Sequence, residues 1–134
     1  MRNFQSISID INEKTAWVQV GATLGQLYHT IAQRSKALAF TTGVCPTVGV
    51  GGHFSDGGYG FMSRKHALAS DNIIDAKLIN ANGQVLDRES MGEDLFWAIR
   101  GGGGASFGII LAFKVKLVII PEAVTVFNVP RKLE

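Results

Sequence analysis

The residues of this sequence best suited to chemistry lie between positions 43 and 60. The stretch Gly43-Val44-Cys45-Pro46-Thr47 leads through Val48 into Gly49-Val50-Gly51-Gly52-His53-Phe54-Ser55-Asp56-Gly57-Gly58-Tyr59-Gly60. Six of the twelve positions 49–60 are glycine, from 16 in the chain. A ribbon so poor in side chains lets a flat ligand touch backbone, or turns N–H groups toward an anion. It also suits a set of tight turns, and composition alone does not separate the two. The common nucleotide fingerprints are not met. A G-x-G-x-x-G beginning at Gly49 would need glycine where Phe54 stands, and no G-x-x-x-x-G-K-[ST] occurs. His53-Phe54-Ser55-Asp56-Gly57 comes near the G-x-S-x-G nucleophile elbow, but His53 stands where that strained turn needs a small residue. A hydrolase using Ser55 or Cys45 with His53 would also lack a third, orienting group.

Cys45 is the single cysteine, so an internal disulfide framework is excluded. Its two readings are a small buried hydrophobe, which spacing alone favours, and a thiolate nucleophile or covalent attachment point. Pro46 stiffens the chain after it. His29, His53 and His66 have no zinc-ligand spacing to one another or to Cys45. Gly101 to Gly104 reads either as a helix stop with close packing or as a second place of backbone approach.

At 134 residues and 46% hydrophobic, the chain has the length of one domain and can build a core. The net charge of +2 comes with no cluster of Lys or Arg, which makes nucleic acid a poor partner. The longest apolar stretch, Ile109 to Ile120, is interrupted by Lys114 and Lys116 and falls short of the roughly 20 residues a membrane helix needs. No leader pattern follows Met1, and a chain that opens on a strand reads as a cut edge.

The elements that must position the ribbon are legible from periodicity. Ser6 to Ile11 alternates and predicts a strand. Asn12 to Lys14 predicts a turn, and Thr15 to Val20 a second strand in a hairpin. Thr23 and Gln26 form a capping box ahead of an apolar stripe of Leu24, Leu27, Tyr28, Ile31 and Ala32. Residues 37–60 lack periodicity and predict loops with one short helical turn. Ile73 to Ile79 and Gln84 to Leu86 predict strands about an Asn82-Gly83 turn. Ser90 and Glu93 predict a second capping box, on a helix that stops at Gly101. A long strand over Phe107 to Leu117 would put Ile109, Leu111, Phe113, Val115 and Leu117 on one face. A last strand is predicted over Val124 to Val129. The order gives an α+β fold, without the regular alternation of a doubly wound sheet.

The run from Gly43 to Ser55 resembles the flavin-linking segment of the berberine bridge enzyme-like oxidoreductases, a mostly plant family. Further segments match in the same order. They are Gly21-Ala22-Thr23-Leu24-Gly25, Asp71-Asn72-Ile73-Ile74-Asp75-Ala76, Asn82-Gly83, and Ser90 through Gly104 with its Glu93-Asp94-Leu95-Phe96-Trp97-Ala98 core. The resemblance covers essentially the whole chain.

It implies part of an FAD-binding PCMH-type domain, vanillyl-alcohol oxidase-like, mainly its second subdomain, over residues 1–134. It implies FAD attached covalently through Cys45 at carbon 6 of the ring, and Val48 at a position controlling oxygen access. Thr47, Gly49, Gly51, Gly52, His53, Ser55, Gly58 and Tyr59 would line the cofactor, with Asn72, Ile109 and Ile110 toward its nucleotide side. The implied reaction is oxidation of a small organic substrate by hydride transfer to the flavin, with O2 as acceptor. Relatives of this kind are commonly secreted or vacuolar. The family's histidine-bearing Arg-Ser-Gly-Gly-His-like loop has no counterpart here. Neither has its substrate domain, which holds the catalytic base. The alternative reading is therefore a truncated, non-catalytic flavin domain. Two departures stand out: Asp56 replaces a usual glycine, and His66-Ala67 a usual Tyr-Gly pair.

Overall fold

The computed structural model describes residues 1–104 and 106–132. Its centre is a five-stranded antiparallel sheet in the order β1 (Ile7–Asp10), β2 (Thr15–Gln19), β6 (Ile109–Lys116), β4 (Ile73–Ile79), β5 (Val85–Leu86). Strands β1 (Ile7–Asp10) and β2 (Thr15–Gln19) form the expected hairpin. Helix α1 (Leu24–Arg34) follows, with the Thr23–Gln26 capping box formed in both directions. It buries Leu24, Leu27 and Ile31.

The aperiodic stretch holds more structure than its pattern predicts. Strand β3 (Leu38–Ala39) pairs with β7 (Val118–Ile119) in a separate small sheet. Helix α2 (Val50–Ser55) runs through the glycine tract itself. Its glycines lower helix propensity, and tertiary contacts override them. Phe54, fully buried, packs its ring 5.1 Å from Phe40 and 5.9 Å from Phe113 of β6 (Ile109–Lys116), fastening α2 to the sheet. A four-residue helix α3 (Ser63–His66) and a 3-10 turn (Ser70–Asn72) lead into β4 (Ile73–Ile79).

β4 joins β5 (Val85–Leu86) through the five residues 80–84. Gly83 holds φ +76° there and the Asn80 side chain accepts from Asn82 and Gln84 N–H. Helix α4 (Arg88–Ala98) begins earlier than predicted. Its N-cap is Asp87, and Ser90 is the reciprocal partner rather than the cap, because Asp at that place already offers an acceptor to the Ser90 N–H. Glu93 instead pairs with Arg88 at 3.0 Å. Gly92, at φ 75° and ψ 166°, kinks the helix.

Two further expectations are corrected. The face assignment of β6 holds from Phe113 to Leu117, but a bulge opposite Lys77 and Leu78 pairs Ala112 and Ile110 with them and skips Leu111. One extra residue reverses the alternation, so Ile110 is buried and Ile109 exposed. Val124 to Val129 forms no strand: Val126 is 90% and Phe127 80% exposed. Alternation makes a strand only against a free edge, and among the described residues none pairs with it.

Candidate functional site: a glycine-floored cleft beside the Cys45 ribbon

The ribbon is laid down by backbone pairing with the start of α1. Leu24 N–H donates to Val48 O and Gly25 N–H to Pro46 O, both at 2.9 Å; Val50 N–H reaches Ala22 O and Gly51 N–H reaches Val20 O. Thus the first-turn donors of α1, which no intrahelical carbonyl can serve, hold residues 46–48. Immediately before these anchors Cys45 stands on a turn closed by Val48 N–H to Cys45 O at 3.3 Å. Its thiol is free and exposed, which corrects the buried-hydrophobe reading favoured by spacing alone.

Two residues upstream, Gly43 is gripped from both sides. Its N–H donates to His53 Nε2 at 2.9 Å, and its carbonyl accepts from the Tyr28 hydroxyl. A Cβ on Gly43 would come within 2.9 Å of the His53 ring, so this grip requires glycine. Burial pushes the His53 pKa below its ordinary value, with Asp56 pulling it back up. An acceptor at Nε2 demands the neutral ring, so geometry and burial agree. Burial also raises the Tyr28 phenol, opposed by the Thr42 hydroxyl.

On the other side of α2 lies a cleft of about 680 Å³, lined by Gly51, Gly52, Ser55, Asp56, Gly103 and Gly104, with Ile109 and Ile110 on its wall. Met1, Val20, Ser106 and Gly108 complete it. The loop 101–104 docks on α2: Gly103 N–H donates to Ser55 O at 3.2 Å, and a Cβ on Gly104 would sit 2.7 Å from Ser55 Oγ. Gly52 is different. A Cβ there meets nothing within 4 Å, so no packing in the fold requires this glycine.

Of the residues the sequence singled out, Gly51, Gly52, Ser55, Ile109 and Ile110 meet in this cleft. Cys45, Thr47, Val48 and Gly49 lie along the ribbon, outside the cleft lining. His53 turns to Gly43, and Ser55 Oγ donates to Gly51 O at 2.7 Å, so the Ser–His pair of a hydrolase is not formed. Gly58 is buried in a corner where a Cβ would lie 2.8 Å from that of Ala69. Tyr59 is 78% exposed. The Asn72 amide donates to His66 O and Leu68 O, bracing the loop before β4. Sequence reasoning missed Met1, Val20, Ser106 and Gly108. Of these only Gly108, a glycine at the mouth of a strand, carried a signal. Among the described residues no three His, Cys, Asp or Glu side chains could hold a metal, and no helix is long and apolar enough to cross a membrane.

Fold and cleft define an α+β domain with a cleft floored by glycine backbone. Comparison with known proteins makes this specific. A family model described as FAD binding domain matches residues 1–88. Berberine bridge enzyme-like 21 of Arabidopsis thaliana is 60% identical over the whole chain, and tetrahydroberberine oxidase of Berberis wilsoniae 58% identical over 98% of it. In each case the chain spans 25% of the relative's length. The structure of berberine bridge enzyme-like 28 from Arabidopsis thaliana superposes with a TM-score of 0.90 at 61% identity, over 91% of this chain and 25% of that one. That of berberine bridge enzyme from Eschscholzia californica gives 0.90 at 58%, over 91% and 24%. The chain belongs to the FAD-binding-domain family, in its berberine bridge enzyme-like branch.

The residues present would suit an uncharged part of FAD, and Cys45, the implied ring attachment point, is not among the residues lining this cleft. The cleft has the size of a small-molecule site, its floor is glycine and its wall aliphatic. Among the described residues no Lys, Arg or His side chain lines it for a pyrophosphate.

Proposed function

We propose that this chain supplies the flavin-holding surface of an FAD-linked oxidoreductase, with Cys45 as the covalent attachment point. The bound flavin would take a hydride from a small organic substrate and pass the electrons to O2. The chain's own part is to hold and orient. Gly51, Gly52, Gly103 and Gly104 present backbone to the ligand. The bonds from Leu24 and Gly25 to the ribbon, and the His53–Gly43–Tyr28 grip, fix the direction of Cys45. Val48, on the ribbon, would limit the approach of O2, while Thr47, Gly49, Gly58, Tyr59 and Asn72 would border the cofactor or brace its surround. The observation that carries the reading is Gly52: a cleft-lining glycine that the fold itself does not need.

The test is colour. Expressed within a chain of the relatives' length, the protein should be yellow and stay yellow after denaturation and gel filtration. Cys45→Ala should lose that colour on denaturation. Retention of colour by the variant would remove Cys45 from the role. The second reading, a domain that holds flavin without turnover, draws on the quarter-length match to the relatives. Oxygen consumption with substrate by the 134-residue chain would rule it out.

A further inference from the structure

We propose that Asn82–Gly83 is a spontaneous modification site, where this protein converts asparagine to isoaspartate and thereby loosens strand β5; the proposal is independent of the flavin reading. The asparagines of the chain are Asn3, Asn12, Asn72, Asn80, Asn82 and Asn128. Phe4, Glu13, Ile73, Ala81 and Val129 follow the others, and their β-carbons crowd the backbone nitrogen; Asn82 alone precedes glycine. The structure separates them further. The Asn72 amide is tied to His66 O and Leu68 O. Asn80 Oδ1 accepts from Asn82 and Gln84 N–H, and its amide donates to Gln84 Oε1. Asn82 bonds only through its backbone N–H, and its carboxamide, on an exposed residue of the loop tip, has no partner among the described residues. Gly83 stands in the open: a Cβ there would meet nothing within 4 Å.

The chemistry needs only water. The Gly83 backbone nitrogen gives up its proton and attacks Cγ of Asn82. The N–Cγ bond forms, the Cγ–Nδ2 bond breaks, and Nδ2 leaves with that proton as ammonia. Water then opens the cyclic imide at either carbonyl. One opening gives aspartate; the other routes the main chain through Cγ and gives isoaspartate. The brake is the Gly83 N–H bond to Asn80 O at 3.0 Å. An exposed turn bond of this kind slows the step about twofold to tenfold. Isoaspartate adds a methylene to the main chain within residues 80–84. The loop bonds onto Asn80 set the register Leu78↔Leu86 and Ile79↔Val85. β5 is a two-residue strand at the sheet edge, with β4 as its one strand neighbour.

Incubation of the 134-residue chain in warm, mildly alkaline buffer, followed by trypsin and mass spectrometry, tests this. The peptide Leu78–Arg88 should gain the mass of a carboxamide turned carboxylate, placed at Asn82 by fragmentation, ahead of every other asparagine. An isoaspartyl methyltransferase with S-adenosylmethionine should then label that peptide. Asp56–Gly57 can isomerise through the same ring, but it changes no mass and lies in another tryptic peptide. A synthetic peptide of residues 78–88 should react about twofold to tenfold faster than the folded chain. Asn82→Gln should abolish the mass gain. Hydrogen exchange in the aged parent should quicken across 79–86 and stay unchanged in β1 and β2. Should the variant not fold, the peptide map of the parent decides alone. A gain first at another asparagine, or none in the folded chain, overturns the site. Unchanged exchange across 79–86 after conversion overturns the loosening.

Discussion

Replacing Ala67 with glycine should stabilise this protein. Ala67 follows α3 at φ 61° and ψ −166°, a region of backbone space in which a β-carbon collides with its own chain. The surroundings hold it there. Its N–H donates to Ser63 O at 3.0 Å and its carbonyl accepts from the buried Thr41 hydroxyl at 2.8 Å. On either side the Asn72 amide binds His66 O and Leu68 O. A non-glycine residue in this region costs about 1–3 kcal/mol. Glycine returns about 0.5–1 kcal/mol of that through the larger freedom of its unfolded chain. The methyl group lost is exposed, so little burial is forfeited. The net gain is about 0.5–2 kcal/mol, or roughly 2–7 °C in Tm for a domain of this size. Urea denaturation of parent and Ala67→Gly measures it, with Ala67→Val expected to move the midpoint the other way. An unchanged or lowered midpoint in Ala67→Gly would refute the claim of strain. The resemblance already marked this position as one where glycine is usual, and the backbone angle supplies the reason.

Three other outcomes follow from the geometry. Phe54→Ala removes the ring that joins Phe40 to Phe113 and should cost about 3–5 kcal/mol in the same assay, releasing α2 before the rest of the sheet. The lowered pKa of His53 makes its contribution fully present above the ordinary value of 6.5 and progressively lost as pH falls below it, through the lowered folded value. Stability measured against pH should show that slope in the parent and a shallower one in His53→Gln. Gly52→Ala should leave stability equal or raised, because the added Cβ meets nothing within 4 Å and helix propensity improves, while flavin binding falls. If it lowers stability and leaves binding intact, Gly52 serves packing after all.

Local pattern determined most of the secondary structure. The β1–β2 hairpin, the α1 capping box, the β4–β5 turn and the long β6 strand each depend on neighbours within a few residues, and such information is written in sequence. The glycine tract was legible as unusual, and its resemblance to a family located the ribbon. Three features needed the tertiary structure. The tract became a helix because Phe54 found Phe40 and Phe113, residues distant in the chain. The 124–129 segment stayed unpaired because a strand needs an edge, and no pattern within it says whether one is free. The cleft joined 51–56 to 103–110 through loop docking, which brought Asp56 beside Gly103 and turned His53 away toward Gly43. Sequence specifies which conformations each segment prefers. Which groups then face one another depends on contacts between segments far apart along the chain, and these exist only once it is folded.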